Sequence, residues 1–247
     1  ISDDFKVRLM KEKYRHSHEN SSDTSPSVVV PTLVSLFKPS SVADVGCGVG
    51  NWLHEFKNNG VSDLVGIDGP HLNPSLYMLD ESKLHITNME EPFSLPRKYD
   101  LAISLEVAEH VSEKSADSFV LCLCNLSDTI VFSAAVPGQG GQNHINEQWP
   151  SYWKKKFEAR GFAFLDVIRP LIWNNPGVRY WYKQNIFVAS RQRVPEALVE
   201  NRIMDFMHPE MLHAKMAESH NGEFGVRRAL KTPTNSVALA IRARFGR

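Results

Sequence analysis

Short apolar runs alternate with longer amphipathic segments along most of this chain. Seven runs have the length and the apolar content of strands, at residues 42–45, 64–68, 84–87, 99–105, 129–136, 162–168 and 184–189. Segments between and before them are predicted to be helices, at residues 27–37, 51–58, 116–126 and 152–160. Because strands alternate with helices, we predict an α/β protein with a Rossmann-like, doubly wound and mostly parallel sheet of seven strands.

Composition divides the chain into three parts. Residues 1–26 are polar and rich in Lys, Arg, His and Ser, and this N-terminal segment is either a lid over the cofactor or a disordered leader. Residues 27–190 contain every predicted strand and are expected to be the main domain. The apolar density falls after Ser190, and residues 191–247 are predicted to form a C-terminal helical extension with a basic end.

Length, charge and cysteine usage narrow the class of protein further. The 247 residues suffice for one α/β domain of about 200 residues with an appendage. The formal net charge is zero, which disfavours nucleic acid as a partner because its binders carry a basic footprint. No apolar run approaches the roughly 18 residues of a membrane span. The three cysteines fall in apolar or loop segments, so we expect no disulfide framework and a cytoplasmic protein. The oligomeric state stays open.

The stretch V-A-D-V-G-C-G-V-G-N-W, residues 42–52, carries the most specific chemistry. Glycines stand at alternate positions, Gly46, Gly48 and Gly50, between a predicted strand and a predicted helix. Such a loop lets a nucleotide-like ligand lie close against the backbone. Asn51 breaks the dinucleotide fingerprint G-x-G-x-x-G, which disfavours a nicotinamide-dependent oxidoreductase. Asp68 ends the second strand, where a carboxylate is placed to accept two hydrogen bonds from a ribose diol.

An acidic residue two positions before three alternating glycines resembles motif I of the class I S-adenosylmethionine (SAM)-dependent methyltransferases. The resemblance covers about residues 27–190 and implies SAM as the cofactor. In that family an acid at the position of Asn88 often receives the adenine amino group, and here the side-chain oxygen of Asn88 is expected to accept instead. The cofactor contacts that we expect are Asp44, Gly46, Cys47, Gly48, Gly50, Asp68, Gly69, Asn88, Met89, Glu90, Leu105 and Glu106. Another Rossmann-like nucleotide-binding protein is the alternative.

A second motif, E-x-x-E-H, follows the fourth predicted strand. Glu106, Glu109 and His110 have the spacing that places three side chains on one face of a helical turn. His144 lies in the loop after the neighbouring strand, so two carboxylates and two imidazoles are expected to converge. Such a set suits a divalent metal ion. The arrangement resembles the small-RNA 2′-O-methyltransferases of the HEN1 type and the ubiquinone-biosynthesis O-methyltransferases, in which these positions hold an ion.

That resemblance makes Glu106, Glu109, His110 and His144 the candidate ligands of Mn, Mg, Fe or Zn. A metal ion lowers the pKa of a bound hydroxyl and orients it for attack. Without a metal, His110 or His144 is the candidate general base, with Glu106 as the third candidate catalytic residue. A purely structural role for these side chains is the third alternative, and the sequence leaves all three open.

The acceptor side is less specific. The glycine-rich loop 137–149 carries Asn143, Asn146, Glu147 and Gln148, which are candidates to hold a polyhydroxyl acceptor. Aromatic residues that follow form either an acceptor pocket or part of the core: Trp149, Tyr152, Trp153, Trp173, Tyr180, Trp181 and Tyr182. We expect O-methylation of a small-molecule or glycan acceptor, such as a sugar or a secondary metabolite. An RNA 3′-end 2′-O-methyltransferase and a catalytically inactive SAM-binding regulatory subunit are the alternatives.

Overall fold

A computed structural model describes residues 23–192 and 205–220. The described residues up to Phe206 form one compact unit, and those from Met207 onward form a second. The N-terminal segment, a candidate lid, therefore lies outside the described residues except for 23–26, as does most of the C-terminal extension. The domain boundary that we place after Ser190 stays a prediction. None of the described helices is both long and apolar enough to cross a bilayer.

The first unit holds seven strands in its described part. They are β1 (Ser41–Val45), β2 (Asp63–Asp68), β3 (Leu84–Ile86), β4 (Leu101–Leu105), β5 (Thr129–Ser133), β6 (Ala163–Leu165) and β7 (Phe187–Ser190). Its helices are α1 (Ser25–Phe37), α2 (Asn51–Asn58), α3 (Ala116–Leu126), α4 (Pro150–Glu158), α5 (Arg169–Ile172) and α6 (Tyr180–Asn185). The second unit contains α7 (Pro209–His220).

The strands form a single sheet in the order β3-β2-β1-β4-β5-β7-β6. All neighbours run parallel except β7, which is antiparallel to both β5 and β6. The predicted Rossmann-like sheet of seven mostly parallel strands is confirmed. Because β1, β2 and β4 are parallel neighbours, their carboxyl ends meet at one edge, where ligands bind in open α/β sheets.

Two apolar layers cover the faces of this sheet. On one face α1 and α2 pack through residues such as Val30 and Phe56, which are fully buried. On the other face α3 and α4 pack through Phe119 and Phe157, also buried. The central strands β1, β4 and β5 are buried at every residue, as expected of parallel strands covered on both faces. The sheet is therefore a rigid base for the loops that leave its carboxyl edge.

Five predicted strands begin later or end earlier than the sequence indicates. The predicted strands 84–87, 99–105 and 129–136 shorten to β3, β4 and β5. The predicted strand 184–189 is wrong at its start, because Gln184 lies in α6 and β7 begins at Phe187. The predicted strand 162–168 is reduced to β6. A buried ion pair follows it, since Arg169 Nη2 lies 2.5 Å from Asp166 Oδ2 and both side chains are almost fully buried. Charged groups at this spacing favour the turn into α5 over further strand.

Candidate active site

The glycine loop, residues 46–50 between β1 and α2, has a left-handed backbone at three glycines. Gly46, Gly48 and Gly50 have φ angles of +80°, +54° and +90°, which residues with a side chain rarely adopt. The N–H of Gly46 donates to the carbonyl oxygen of Ile67 at 2.7 Å, which ties the loop to β2. The loop therefore follows the end of β2 closely, and α2 begins directly after it at Asn51.

We predict that Gly46→Ala destabilises the protein more than Gly60→Ala. Gly60 has a similar φ of +87°, but a Cβ there would meet nothing within 4 Å, whereas a Cβ on Gly46 would lie 2.3 Å from Val107 Cγ2. Both variants incur about 1–2 kcal/mol for the left-handed backbone, and overpacking adds roughly 1–3 kcal/mol at Gly46 alone. Thermal melts of the two variants measure the difference, and equal shifts would contradict the close approach of Val107.

Asp68 is the anchor of this edge. One carboxylate oxygen accepts from the N–H of Gly48 at 2.7 Å, and the other accepts from the N–H of Gly69 at 2.6 Å. The Nε2 atom of His71 lies 3.3 Å from the second oxygen. His71 is a site residue that the sequence did not indicate, because a lone histidine in a loop carries no signal. The carboxylate thus holds two loops together while facing a cavity.

Asp44 is buried at the end of β1, in register with Gly66 of β2 and Ile103 of β4. Its Oδ2 atom has no hydrogen-bond partner among the described residues. Burial, and secondarily the charge of Asp68, hold the pKa of Asp44 well above its ordinary value. A buried acceptor without a partner is costly, so this position suits a ligand that brings a donor or a positive charge.

The first cavity, of about 230 Å³, opens beside Asp68. Gly69, Asn88, Met89 and Glu90 line it, as expected of cofactor contacts. The side-chain oxygen of Asn88 already accepts from the N–H of Glu90 at 3.1 Å. The carboxylate of Glu90 accepts from the N–H and the hydroxyl of Ser112. These two side chains therefore shape the turn that lines the cavity, and their polar atoms are engaged within it.

The second cavity, of about 390 Å³, lies next to the first, and the two share Gly46, Glu106 and His110. Its lining includes Cys47, Gly48 and Leu105, three further residues that were expected at the cofactor. Gly50 is absent from both linings and caps α2 instead. The aromatic side chains divide between the two predicted uses. Three of them line this cavity, at Tyr180, Trp181 and Tyr182, whereas Trp153 packs in the core against Phe132.

Glu106 lies where the two cavities meet, and amide side chains hold it. Gln139 Nε2 donates to one of its oxygens at 2.7 Å, and Asn185 Nδ2 donates to the other at 3.0 Å. Burial raises the pKa of Glu106 to about 7. The prediction that one helical turn carries Glu106, Glu109 and His110 is wrong. Glu106 has a φ of +57°, and only a single 3-10 turn, Ala108–His110, follows it.

Glu109, His110 and His144 do converge. One ligand atom from each lies within 4.8 Å of the others, and His144 Nε2 is 3.8 Å from Glu109 Oε1. The two imidazole rings meet edge to face with centroids 5.0 Å apart. Glu106 lies outside this group, which corrects the expected set of four ligands to three among the described residues. Its two oxygens are instead bonded to Gln139 and Asn185.

The electrostatics of these three residues are those of a site for a cation. Glu109 is fully buried, and neither of its oxygens has a hydrogen-bond partner in the described part of the chain. Burial, followed by the charge of Glu106, raises its pKa well above the ordinary value. Burial and the neighbouring His144 lower the pKa of His110 to about 4, which leaves that imidazole neutral at physiological pH. A buried carboxyl group without a hydrogen-bond partner beside two imidazole rings fits a divalent ion.

The glycine-rich loop closes on itself over this edge. The carboxylate of Glu147 bonds within the loop, to the N–H of Gly138, the N–H of Gly140 and the Nδ1 atom of His144. Asn146 is buried, and its oxygen accepts from Gln148 Nε2. These contacts engage three of the four side chains that we expected to hold an acceptor. Asn143 lines the first cavity.

A family model described as a methyltransferase domain matches residues 23–121. Three solved structures are similar in fold. The sugar N-methyltransferase KedS8 from Streptoalloteichus sp. ATCC 53650 is 14% identical, with a TM-score of 0.54 over 70% of this chain and 90% of that one. DesVI from Streptomyces venezuelae is 14% identical, with a TM-score of 0.51 over 72% and 100%.

The third is the plantazolicin methyltransferase BpumL in complex with S-adenosylhomocysteine (SAH). It is 15% identical, with a TM-score of 0.50 over 77% of this chain and 91% of that one. Comparison with curated protein sequences gives no match. The E-x-x-E-H subgroup is not confirmed by these matches.

Proposed function

We propose that this chain is a class I SAM-dependent methyltransferase that methylates an oxygen of a small polar acceptor. The Rossmann-like fold and the methyltransferase domain matched at residues 23–121 support the first part of the proposal. The observation that carries the oxygen assignment is the convergence of Glu109, His110 and His144 beside Glu106. An alcohol is a poor nucleophile at neutral pH, so its methylation calls for a base or a metal ion at this point.

The residues at the carboxyl edge fit SAM. When bound, SAM supplies a sulfonium methyl group that a nucleophile takes up in a displacement reaction. Asp68 offers carboxylate oxygens to the ribose hydroxyls at the first cavity, while Met89 offers an apolar face to the adenine. Asp44 lines neither cavity, but its buried Oδ2 atom has no partner among the described residues, and we assign it to the ammonium, directly or through water. Gly46 and Gly48 line the second cavity, where the backbone of the glycine loop is available to the ligand.

The three-residue cluster fits a divalent metal ion with nitrogen and oxygen ligands, such as Mn, Fe or Zn. When bound, such an ion lowers the pKa of an acceptor hydroxyl and orients it. Glu109 would contribute a carboxylate oxygen to such an ion, and His110 and His144 would contribute imidazole nitrogens. Glu106 accepts hydrogen bonds from Gln139 and Asn185 and lines both cavities at the point where they meet. In the absence of an ion, His110 or His144 is the base that takes the hydroxyl proton.

A neutral or cationic acceptor suits the second cavity better than an anionic one. Among the described residues that line it are the carboxylates Asp23, Glu106 and Glu109, and these lining residues include no Lys or Arg. Tyr180, Trp181 and Tyr182 present aromatic faces, which bind sugar rings. We therefore propose a sugar, a glycan or a similar secondary metabolite as the acceptor. The same acidic lining disfavours an RNA 3′ end, whose phosphates call for basic residues.

Methylation of an amine is the second candidate. The carboxylates of the second cavity would attract an ammonium group, and the aromatic side chains would add cation–π contacts. The similar fold of a sugar N-methyltransferase agrees with this candidate without deciding it. A buried base near the transferred group is needed here too, because only the neutral amine is nucleophilic.

Matched acceptors separate the two candidates. We expect the enzyme, supplied with SAM and Mn²⁺, to methylate neutral monosaccharides in preference to amino sugars that differ only by an amine in place of one hydroxyl. Mass spectrometry of the products measures this preference, and tandem fragmentation identifies the methylated atom. Exclusive methylation of the amine would overturn the oxygen assignment. Turnover of an RNA oligonucleotide alone would overturn the acceptor class, and SAH binding without turnover of any acceptor would favour the inactive subunit.

The expected cytoplasmic location is part of the same proposal. Cys47, Cys122 and Cys124 are all buried and free of disulfide bonds, as expected in a reducing compartment.

A further inference from the structure

We propose that Glu147 is a positioning residue, which sets the tautomer of His144 and holds the glycine-rich loop closed over the two cavities. Neither the sequence pattern nor the comparisons assign it this role. The inference rests on the proposed function only in what His144 is used for, since the bonds of Glu147 exist whether or not a metal ion or an acceptor is bound.

Three donors converge on one carboxylate. Glu147 Oε1 accepts from the N–H of Gly140 at 2.6 Å and lies 2.9 Å from His144 Nδ1. Glu147 Oε2 accepts from the N–H of Gly138 at 2.8 Å. The three donors span seven residues of one loop, and the side chain of Glu147 is only 19% exposed. Bonds between a carboxylate and N–H groups are short and strong, so this single side chain closes the loop.

The bond to His144 decides where the imidazole proton lies. A carboxylate only accepts, so the Nδ1 atom of His144 must carry the hydrogen. Its Nε2 atom then has the lone pair, and this is the nitrogen that lies 3.8 Å from Glu109. Carboxylates that fix a histidine through the second ring nitrogen are a common support of metal and base sites.

His110 shows the same arrangement from the same loop. Its Nδ1 atom lies 3.3 Å from the carbonyl oxygen of Asn143, which also only accepts. Asn143 has a φ of +59°, a left-handed conformation that turns this carbonyl toward the ring. The loop thus makes Nε2 the basic nitrogen of both imidazoles. The N–H groups of Ile145 and Asn146 also donate to the carbonyl oxygen of Glu109, which fastens the loop to the third member of the cluster.

Glu147→Gln is the sharpest test, because an amide has nearly the same shape as the carboxylate. One end of the amide is an NH₂ group, so it would face an N–H donor at Gly138 or at Gly140 and lose at least one loop bond. The matched control is Glu158→Gln, which removes an exposed carboxylate of α4 that lies 3.7 Å from Lys154. Glu158 lines neither cavity and lies on α4, outside the glycine-rich loop.

The first readout is the tautomer of His144, from two-bond ¹H–¹⁵N spectra above about pH 8, where an ordinary imidazole is neutral. We expect the Nδ1–H tautomer in the metal-free wild type and in Glu158→Gln, and a mixture of tautomers in Glu147→Gln. We also expect faster amide hydrogen exchange at Gly138 and Gly140 in Glu147→Gln alone. An Nε2–H tautomer in the wild type would overturn the proposal, and this measurement stands even if the variant does not fold.

The second readout is Mn²⁺ affinity, which we expect to fall about 10- to 100-fold in Glu147→Gln, with SAH affinity nearly unchanged. Tautomer and exchange unchanged in Glu147→Gln would overturn the positioning role. If instead the tautomer and exchange change as expected while the wild type binds neither Mn²⁺ nor SAH, the positioning role stands and the proposed function fails.

Discussion

Glu109→Gln is expected to reduce Mn²⁺-dependent methyl transfer at least 100-fold while raising the melting temperature of the metal-free protein. Glu109 is the one carboxyl group of the cluster that it forms with His110 and His144, and both of its oxygens are buried without a hydrogen-bond partner among the described residues. Burial without hydrogen-bond partners suits this carboxylate to an ion, and it destabilises the folded protein when no ion is bound. An uncharged amide of the same size removes that cost and the affinity for the ion together.

The raised pKa of Glu109 also predicts how the stability of the protein changes with pH. Burial raises the pKa of Glu109 above that of an unfolded chain, whose carboxyl groups ionise near pH 4.3. The folded protein therefore binds more protons than the unfolded one above that pH, and its stability falls as the pH rises toward the raised pKa. The wild type is expected to lose stability over this range by more than Glu109→Gln does. At pH 8 the variant is expected to be more stable by about 2 kcal/mol, a shift of several degrees.

Glu113→Gln is the matched control for this prediction, since Glu113 is exposed and lies only four residues further along the chain. It should leave both the melting temperature and the activity near the wild-type values. Thermal melts in the presence of a chelator, followed by methyl-transfer assays with Mn²⁺ added, measure both effects. A Glu109→Gln variant that is less stable than the wild type at pH 8, or fully active, would contradict the account of this carboxylate.

Asp68→Ala is expected to weaken SAH binding by a factor of 100 or more. Hydrogen bonds to a charged group contribute about 1.5–3 kcal/mol each, and two of them to the ribose diol correspond to at least that factor. The variant also leaves the N–H groups of Gly48 and Gly69 without their present acceptor, so the loops on both sides of the cavity lose their anchor. Calorimetric titration with SAH measures the loss.

Asp63→Ala is the matched control, because it removes a carboxylate from the other end of the same strand. Asp63 begins β2, Asp68 ends it, and Asp63 pairs at the surface with Arg97 at 2.6 Å. An exposed pair contributes little to stability, so this control should bind SAH as the wild type does. Asp68→Asn is a second variant that keeps the shape, and we expect it to bind SAH more weakly than the wild type but to melt nearer to it than Asp68→Ala. Equal SAH binding by Asp68→Ala and Asp63→Ala would remove Asp68 from the proposed cofactor site.

The half of the candidate site that we assign to the cofactor could be predicted from the sequence, because the residues that determine it are close together along the chain. Alternating glycines predict a tight loop wherever a strand precedes them, and Gly46, Gly48 and Gly50 all adopt left-handed φ angles. The apolar runs predict β1, β2 and β4, and parallel neighbours bring their carboxyl ends to one edge. Asp44 and Asp68 therefore meet at the glycine loop although 24 positions separate them in the numbering.

The acceptor half does not follow from the sequence, because its determinants are contacts between distant segments. Gln139 and Asn185 donate hydrogen bonds to the two oxygens of Glu106. These bonds hold Glu106 apart from Glu109 and His110, although the three residues have helical spacing. In the sequence Glu147 is an ordinary acidic residue of a polar loop. Only the structure shows the three groups that bond to its carboxylate. Helical spacing predicts neighbouring side chains only where the backbone is helical. Glu106 has a left-handed backbone, so the spacing does not apply to it.

Titration of SAH into the wild-type protein by calorimetry, first with chelator and then with Mn²⁺, tests the central claim most directly. We predict saturable binding of one SAH per chain in both conditions, together with a separate Mn²⁺ isotherm that Glu109→Gln removes and Glu113→Gln keeps. SAH binding without any Mn²⁺ isotherm would leave a methyltransferase in which His110 or His144 acts as a plain base. No SAH binding in either condition would contradict the assignment of this edge of the sheet to SAM.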